Sequence, residues 1–144
     1  MARYKDPVVR DAFASHLERG ETLQEWAYGV KQPSIWLMIP LFALAILPGA
    51  IAVALLTKEY LVGLTDRRVI VLRVKGGKAE VQEVTTYDLD ERLSVEASSG
   101  AIFAHVTVHD EARPFKAKFH RAGAPENREH ALAAAEALGA AVPA

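Results

Sequence analysis

The chain has 144 residues, with 17 basic and 18 acidic side chains, a formal net charge of −1 and no cysteine. That length suits one domain around one core. The near balance of charge argues against a nucleic-acid partner, which draws a clear basic excess. The lack of cysteine removes disulfides, thiolate nucleophiles and zinc–cysteine sites together, and it fits a reducing compartment.

Asp6-Pro7 has the form of an N-cap followed by proline at the first helical position. Val9, Phe13 and Leu17 recur every four residues, and Gly20 stands where a helix would stop. An amphipathic helix is expected over 7–19, packed on the domain rather than in contact with a membrane. Residues 21–30 read as a strand carrying Trp26 and Tyr28 on one face.

From Ile35 to Leu56 no charged or strongly polar side chain occurs, a run of roughly 22 residues that passes the length threshold for a membrane segment. It starts too far from Met1 and lacks the cleavage pattern of a secretory signal. An apolar, helical insertion over 34–57 is expected, and its membrane-contacting side chains are Trp36, Leu37, Phe42, Leu44, Leu47, Pro48, Ile51 and Leu55.

Tyr60 to Leu64 is a short strand, and Thr65-Asp66-Arg67-Arg68 turns the chain. Val69 to Val74 forms an apolar run interrupted only by Arg73, as in a strand buried on both faces. Gly76-Gly77 predicts a two-residue hairpin, whose central positions need positive φ, and a return strand over 79–86. Leu93 to Ala97 alternates. In 101–109 the set Ile102, Ala104, Val106 and Val108 faces one way, and Phe103, His105, Thr107 and His109 face the other. In 114–120, Phe115, Ala117 and Phe119 alternate with Lys116, Lys118 and His120. An alanine-rich helix over 125–138 follows, with Glu126 in its first turn.

As one helix the apolar segment would reach about 33 Å, enough to cross the hydrocarbon core. Pro48-Gly49 argues for a break, which leaves two limbs too short to span and makes a hairpin that dips into the membrane. If the strands on either side pair in one sheet, a single crossing is impossible. Lys31 before the segment and Lys58, Arg67 and Arg68 after it place both flanks on the cytoplasmic side. A third reading buries the segment inside a homo-oligomer.

No constellation for catalysis stands out. His105 and His109 are four apart on one strand, hence about 13 Å apart, and cannot share a metal ion. Asp88, Asp90 and Glu91 lack the glycine spacing of a calcium loop and read as a solvated turn. No nucleophile elbow and no phosphate-cradling glycine loop occurs. The chain is expected to be no enzyme and to need no cofactor or metal. The polar surface of interest is cationic: Arg67 and Arg68 at one turn, and Lys116, Lys118, His120 and Arg121 along another strand. These are the candidate contacts to anionic headgroups. They read equally as solvated positions that protect an edge strand.

A Gly20-Glu21 strand opening, the stretch Tyr60-Leu-Val-Gly-Leu-Thr-Asp-Arg-Arg-Val-Ile-Val-Leu72, a hairpin and further strands before a terminal helix resemble bacterial pleckstrin-homology-like domains, relatives in shape of pleckstrin-homology and GRAM modules. The specific part, Thr65-Asp66-Arg67-Arg68 and the aliphatics after it, covers about a tenth of the chain. The resemblance implies an α+β, PH-like antiparallel barrel or sandwich of about seven strands with a C-terminal helix, in a single domain over 1–144. It also implies binding of lipid headgroups, peptides or partner subunits, with no catalytic residues to carry over. Such domains often carry hydrophobic membrane segments beside their first strands. The chain departs from lipid-binding pleckstrin domains in that the loop between strands one and two is apolar instead of basic. The expected role is a binding or scaffolding module held at the cytoplasmic face of the inner membrane by residues 34–57. The alternative is a soluble adaptor whose apolar segment forms a homo-oligomer interface.

Overall fold

The computed structural model describes residues 4–32, 35–44, 51–52, 56–75, 79–91 and 93–140. Helix α1, Asp6–Ala14, precedes strand β1, Leu23–Lys31, and a short helix α2, Ile35–Leu44, follows within the apolar segment. Strands β2 (Lys58–Thr65), β3 (Arg68–Lys75), β4 (Glu80–Asp88), β5 (Ser94–Ser99), β6 (Phe103–His109) and β7 (Phe115–His120) come next, and helix α3, Asn127–Ala137, comes last. The strands form one antiparallel sheet in the order β4-β3-β2-β1-β7-β6-β5.

Alternation of side chains decides what each strand buries. On β6, Ala104, Val106 and Val108 are buried, and on β7 Phe115, Ala117 and Phe119 are buried. They meet Val62, Val69, Val71 and Tyr87 beneath the alanine face of α3, namely Ala131, Ala134 and Ala135. β3 is buried on both sides: Val69 and Val71 join that core, while Ile70, Leu72 and Val74 join a second one under α1 with Val9, Phe13, Leu23, Trp26 and Leu61. Each large side chain so buried contributes about 1.5–3 kcal/mol. Two glycines let these layers close. A Cβ on Gly63 would stand 2.7 Å from the Phe13 ring, and one on Gly29 2.6 Å from the Phe119 ring.

Several boundaries differ from the sequence expectation. The N-terminal helix covers 6–14, with Lys5 as its N-cap. Asp6 is drawn into the first turn because its carboxylate accepts hydrogen bonds from Trp26 Nε1 at 2.8 Å and Arg10 Nε at 2.9 Å. Ile102 is exposed, since strand β6 begins only at Phe103. Glu126 is not in the first turn of α3 but caps it, at φ 52°. The Gly76-Gly77 turn lies outside the described residues. The β3–β4 ladder pairs Lys75 with Glu80, so four residues connect the strands, two more than the expected turn. A register shift between Arg73 and Val74 accompanies it. Finally, β7 is an interior strand between β1 and β6, so edge protection does not account for Lys116 and Lys118.

Candidate membrane-docking site

β1 and β2 pair along their whole length, ending with Val30 opposite Glu59 and Lys31 opposite Lys58. The apolar segment therefore leaves the sheet and returns to it at adjacent points, about 5 Å apart at the Cα level. A single crossing would hold its two ends on opposite sides of a layer about 30 Å thick, so that reading is excluded. Among the described residues no helix is long and apolar enough to cross a membrane. α2 has ten residues, about 15 Å of helix, and contains Pro40.

What the described part of the insertion presents is apolar and open. Trp36 is 81% exposed, Ile39 56%, Ile51 55% and Leu56 49%, with Phe42 exposed beside them. Among the described residues, five of the eight large exposed hydrophobic side chains lie in this one segment, an exposure that calls for a cover. Leu37 and Leu44 are placed in the backbone of α2. Leu47, Pro48 and Leu55, and with them the Pro48-Gly49 break, lie outside the described residues.

Cations surround the root of the insertion. Lys31 and Lys58 are both exposed, a like-charge pair standing across the ladder. Lys116 is exposed on β7. None of the three has an ion-pair partner among the described residues. Lys118 is tied directly to the root: its Nζ donates to Gln32 Oε1 at 2.8 Å and lies 4.8 Å from the centre of the Phe103 ring. His120 packs edge-on against Phe103, and its Nδ1 accepts the Ala122 amide hydrogen at 2.9 Å. Arg121 follows in the exposed turn. An open depression of about 420 Å³ lies beside the root, lined in part by Lys31, Lys116, His109, Glu111 and Phe115.

The other two expected cations are elsewhere. Arg67 and Arg68 follow the far end of β2, seven residues and roughly 23 Å along the strand from Lys58. The structure splits the cationic set, and Arg68 is committed to the interior. Its guanidinium donates to the Glu21 carboxylate at 2.9–3.3 Å and to the His16 carbonyl at 2.7 Å. Thr65 Oγ1 donates to the same carboxylate at 2.7 Å and accepts the amide hydrogens of Arg67 and Arg68. The Arg68 hydrogen bonds hold the Glu21 carboxyl down to about 2, against the upward push of burial. The Thr65-Asp66-Arg67-Arg68 stretch is thus a clasp between the N-terminal segment and the β2–β3 turn. Arg67 remains on the surface, beside Glu18 at 3.4 Å and Asp66 at 3.8 Å.

Glu59 is a bonded centre with no signature along the chain: the Tyr28 and Tyr4 hydroxyls donate to it at 2.8 and 3.2 Å. Two tyrosines and a glutamate spread over 55 residues carry no local pattern.

No family model and no curated protein matches the chain. Solved structures of similar shape include the hSac2 domain of the human phosphoinositide phosphatase Sac2, at a TM-score of 0.49 and 7% identity over 96% of this chain and 87% of that one. A C-terminal domain of an unknown protein from Leishmania infantum has a TM-score of 0.44 and 11% identity over 92% and 96%. A pleckstrin homology domain from Shewanella amazonensis has a TM-score of 0.38 and 14% identity over 91% and 96%.

Proposed function

We propose that this chain is a PH-like, non-enzymatic binding module that docks on the cytoplasmic face of a membrane by dipping its apolar insertion between lipids. The observation that carries the reading is the Lys31–Lys58 pair at the neck of a segment whose Trp36, Ile39, Phe42, Ile51 and Leu56 are open to the surroundings. Apolar side chains beyond a collar of cations match the two layers of an anionic leaflet, acyl chains below and headgroups above. Basic flanks favour the cytoplasmic side. The sheet order with a closing C-terminal helix and the Thr65-Asp66-Arg67-Arg68 stretch support a PH-like module.

Lys31, Lys58, Lys116 and Lys118 take the headgroup role in this reading. Arg68 does not, because moving it would strand Glu21 without its partner.

Vesicle co-sedimentation tests the proposal. The parent protein is expected to bind vesicles rich in phosphatidylserine and to release with added salt. Trp36→Ser with Phe42→Ser should abolish binding, and Lys116→Glu should weaken it several-fold, in line with about 1 kcal/mol per surface cation. Vesicle binding that ignores both changes would overturn the reading. A detergent-free oligomer that dissociates with Trp36→Ser would instead assign the apolar segment to an interface between copies.

A further inference from the structure

Among the described residues the seven-stranded sheet is open, and β4 and β5 each present one edge with no strand partner. The two edges differ. β4 has nine residues, a register irregularity in its ladder, and acids at Glu80, Glu83 and Asp88. Antiparallel pairing of β4 with a second β4 about their centres would set Glu80 against Asp88 of the other copy, a like-charge opposition at each end. This edge is guarded.

β5, Ser94–Ser99, has neither lysine nor proline, a regular six-pair ladder with β6, and one charge, Glu96. The Gly100 amide donates to the Phe103 carbonyl at 2.8 Å, which sets the alternation of the ladder. Ser94, Glu96 and Ser98 bond toward β6, and the amides and carbonyls of Val95, Ala97 and Ser99 point to the free edge. We propose that β5 pairs antiparallel with β5 of a second copy of this chain, about a two-fold axis through Ala97. In that register Ala97 meets Ala97, Val95 meets Ser99, and every outward group finds a partner, about six hydrogen bonds in all. Glu96 then stands opposite Ser98 of the other copy and not opposite another glutamate. The edge is complementary to itself where β4 repels itself. This pairing uses the β5 edge, whereas membrane docking uses the β1–β2 neck in the middle of the sheet order.

Cysteine cross-linking of the full chain in mild detergent tests it. The chain has no native cysteine, and residues paired across a two-fold axis lie about 5.5 Å apart at Cα, within disulfide reach. Ala97→Cys should form a disulfide dimer on mild oxidation, and Ser94→Cys should not. In sedimentation velocity at low salt, Ser98→Glu should weaken self-association roughly three- to tenfold, and Ser98→Lys should strengthen it, since each dimer contains the 96–98 opposition twice. Residue 98 is exposed, so both variants keep the fold. A monomer throughout the micromolar range, or equal cross-linking at 94 and 97, would overturn the proposal. So would self-association that ignores residue 98 and disappears with Trp36→Ser, and vesicle binding reads the docking function separately.

Discussion

Arg68 closes over Glu21 from 47 residues away, with guanidinium nitrogens 2.9–3.3 Å from both carboxylate oxygens and the glutamate side chain fully shielded from solvent. The Glu21 carboxyl falls to about 2 from an ordinary value of 4.5. A carboxyl lowered by folding stabilises the native state above its unfolded value, and that contribution is lost as pH falls from about 4.5 toward 2. Chemical denaturation at stepped pH should show a stability decline through this window, and Glu21→Gln should flatten it. At neutral pH Arg68→Met leaves a buried carboxylate without its partner and should lower stability by about 3–5 kcal/mol. Arg67→Met, which removes only the exposed contacts to Glu18 and Asp66, should change it by less than about 1 kcal/mol. Equal effects of the two arginine variants would refute the clasp.

The two glycine contacts give a second expectation. Gly29→Ala pushes a methyl group onto the buried Phe119 ring, and Gly63→Ala pushes one between Phe13 and Leu23. Each should destabilise the domain by about 1–3 kcal/mol, as overpacking does, measured as a shift in urea midpoint. Gly100→Ala meets nothing closer than 3.7 Å and should leave the midpoint nearly unchanged.

The neck of the insertion gives a third. Single cysteines at positions 31 and 58 should both resist an impermeant thiol reagent in intact cells and react after lysis. The double variant Lys31→Cys with Lys58→Cys should form an internal disulfide, because directly opposed residues of antiparallel strands lie within bridging distance. Labelling of one position from outside the cell would break both the β1–β2 pairing and the docking model.

Wherever an element is decided by its own residues, the sequence already shows it. The alternation Phe103 to His109 and Phe115 to His120 places side chains on the two faces they occupy, and the apolar run Val69 to Val74 is buried on both sides. Partners distant in sequence leave no such trace. Arg68 reads as a surface cation because Glu21, which draws it inward, is remote along the chain. Lys116 and Lys118 read as edge residues because strand order is set by the whole sheet, and β1 arrives beside β7 from almost ninety residues earlier. The collar at the neck becomes visible only when Lys31, Lys58 and Lys116, read separately along the chain, are brought to one place.

The join between β1 and β7 has a temporal consequence. Its ladder registers one pair, Val30 with Lys118, and Asn127 at the start of α3 stitches what the strands leave open. Its side chain accepts the Tyr28 amide hydrogen at 2.7 Å and donates to the Tyr28 and His120 carbonyls at 2.8 Å, and His130 reaches the Trp26 carbonyl at 3.0 Å. During synthesis, strands β1 to β4 can pair in sequence as they leave the ribosome. The seam waits for a residue made 99 positions after Tyr28. Until Asn127 is available the seam lacks these three hydrogen bonds, so the β1–β4 and β5–β7 halves are expected to close on each other late in folding.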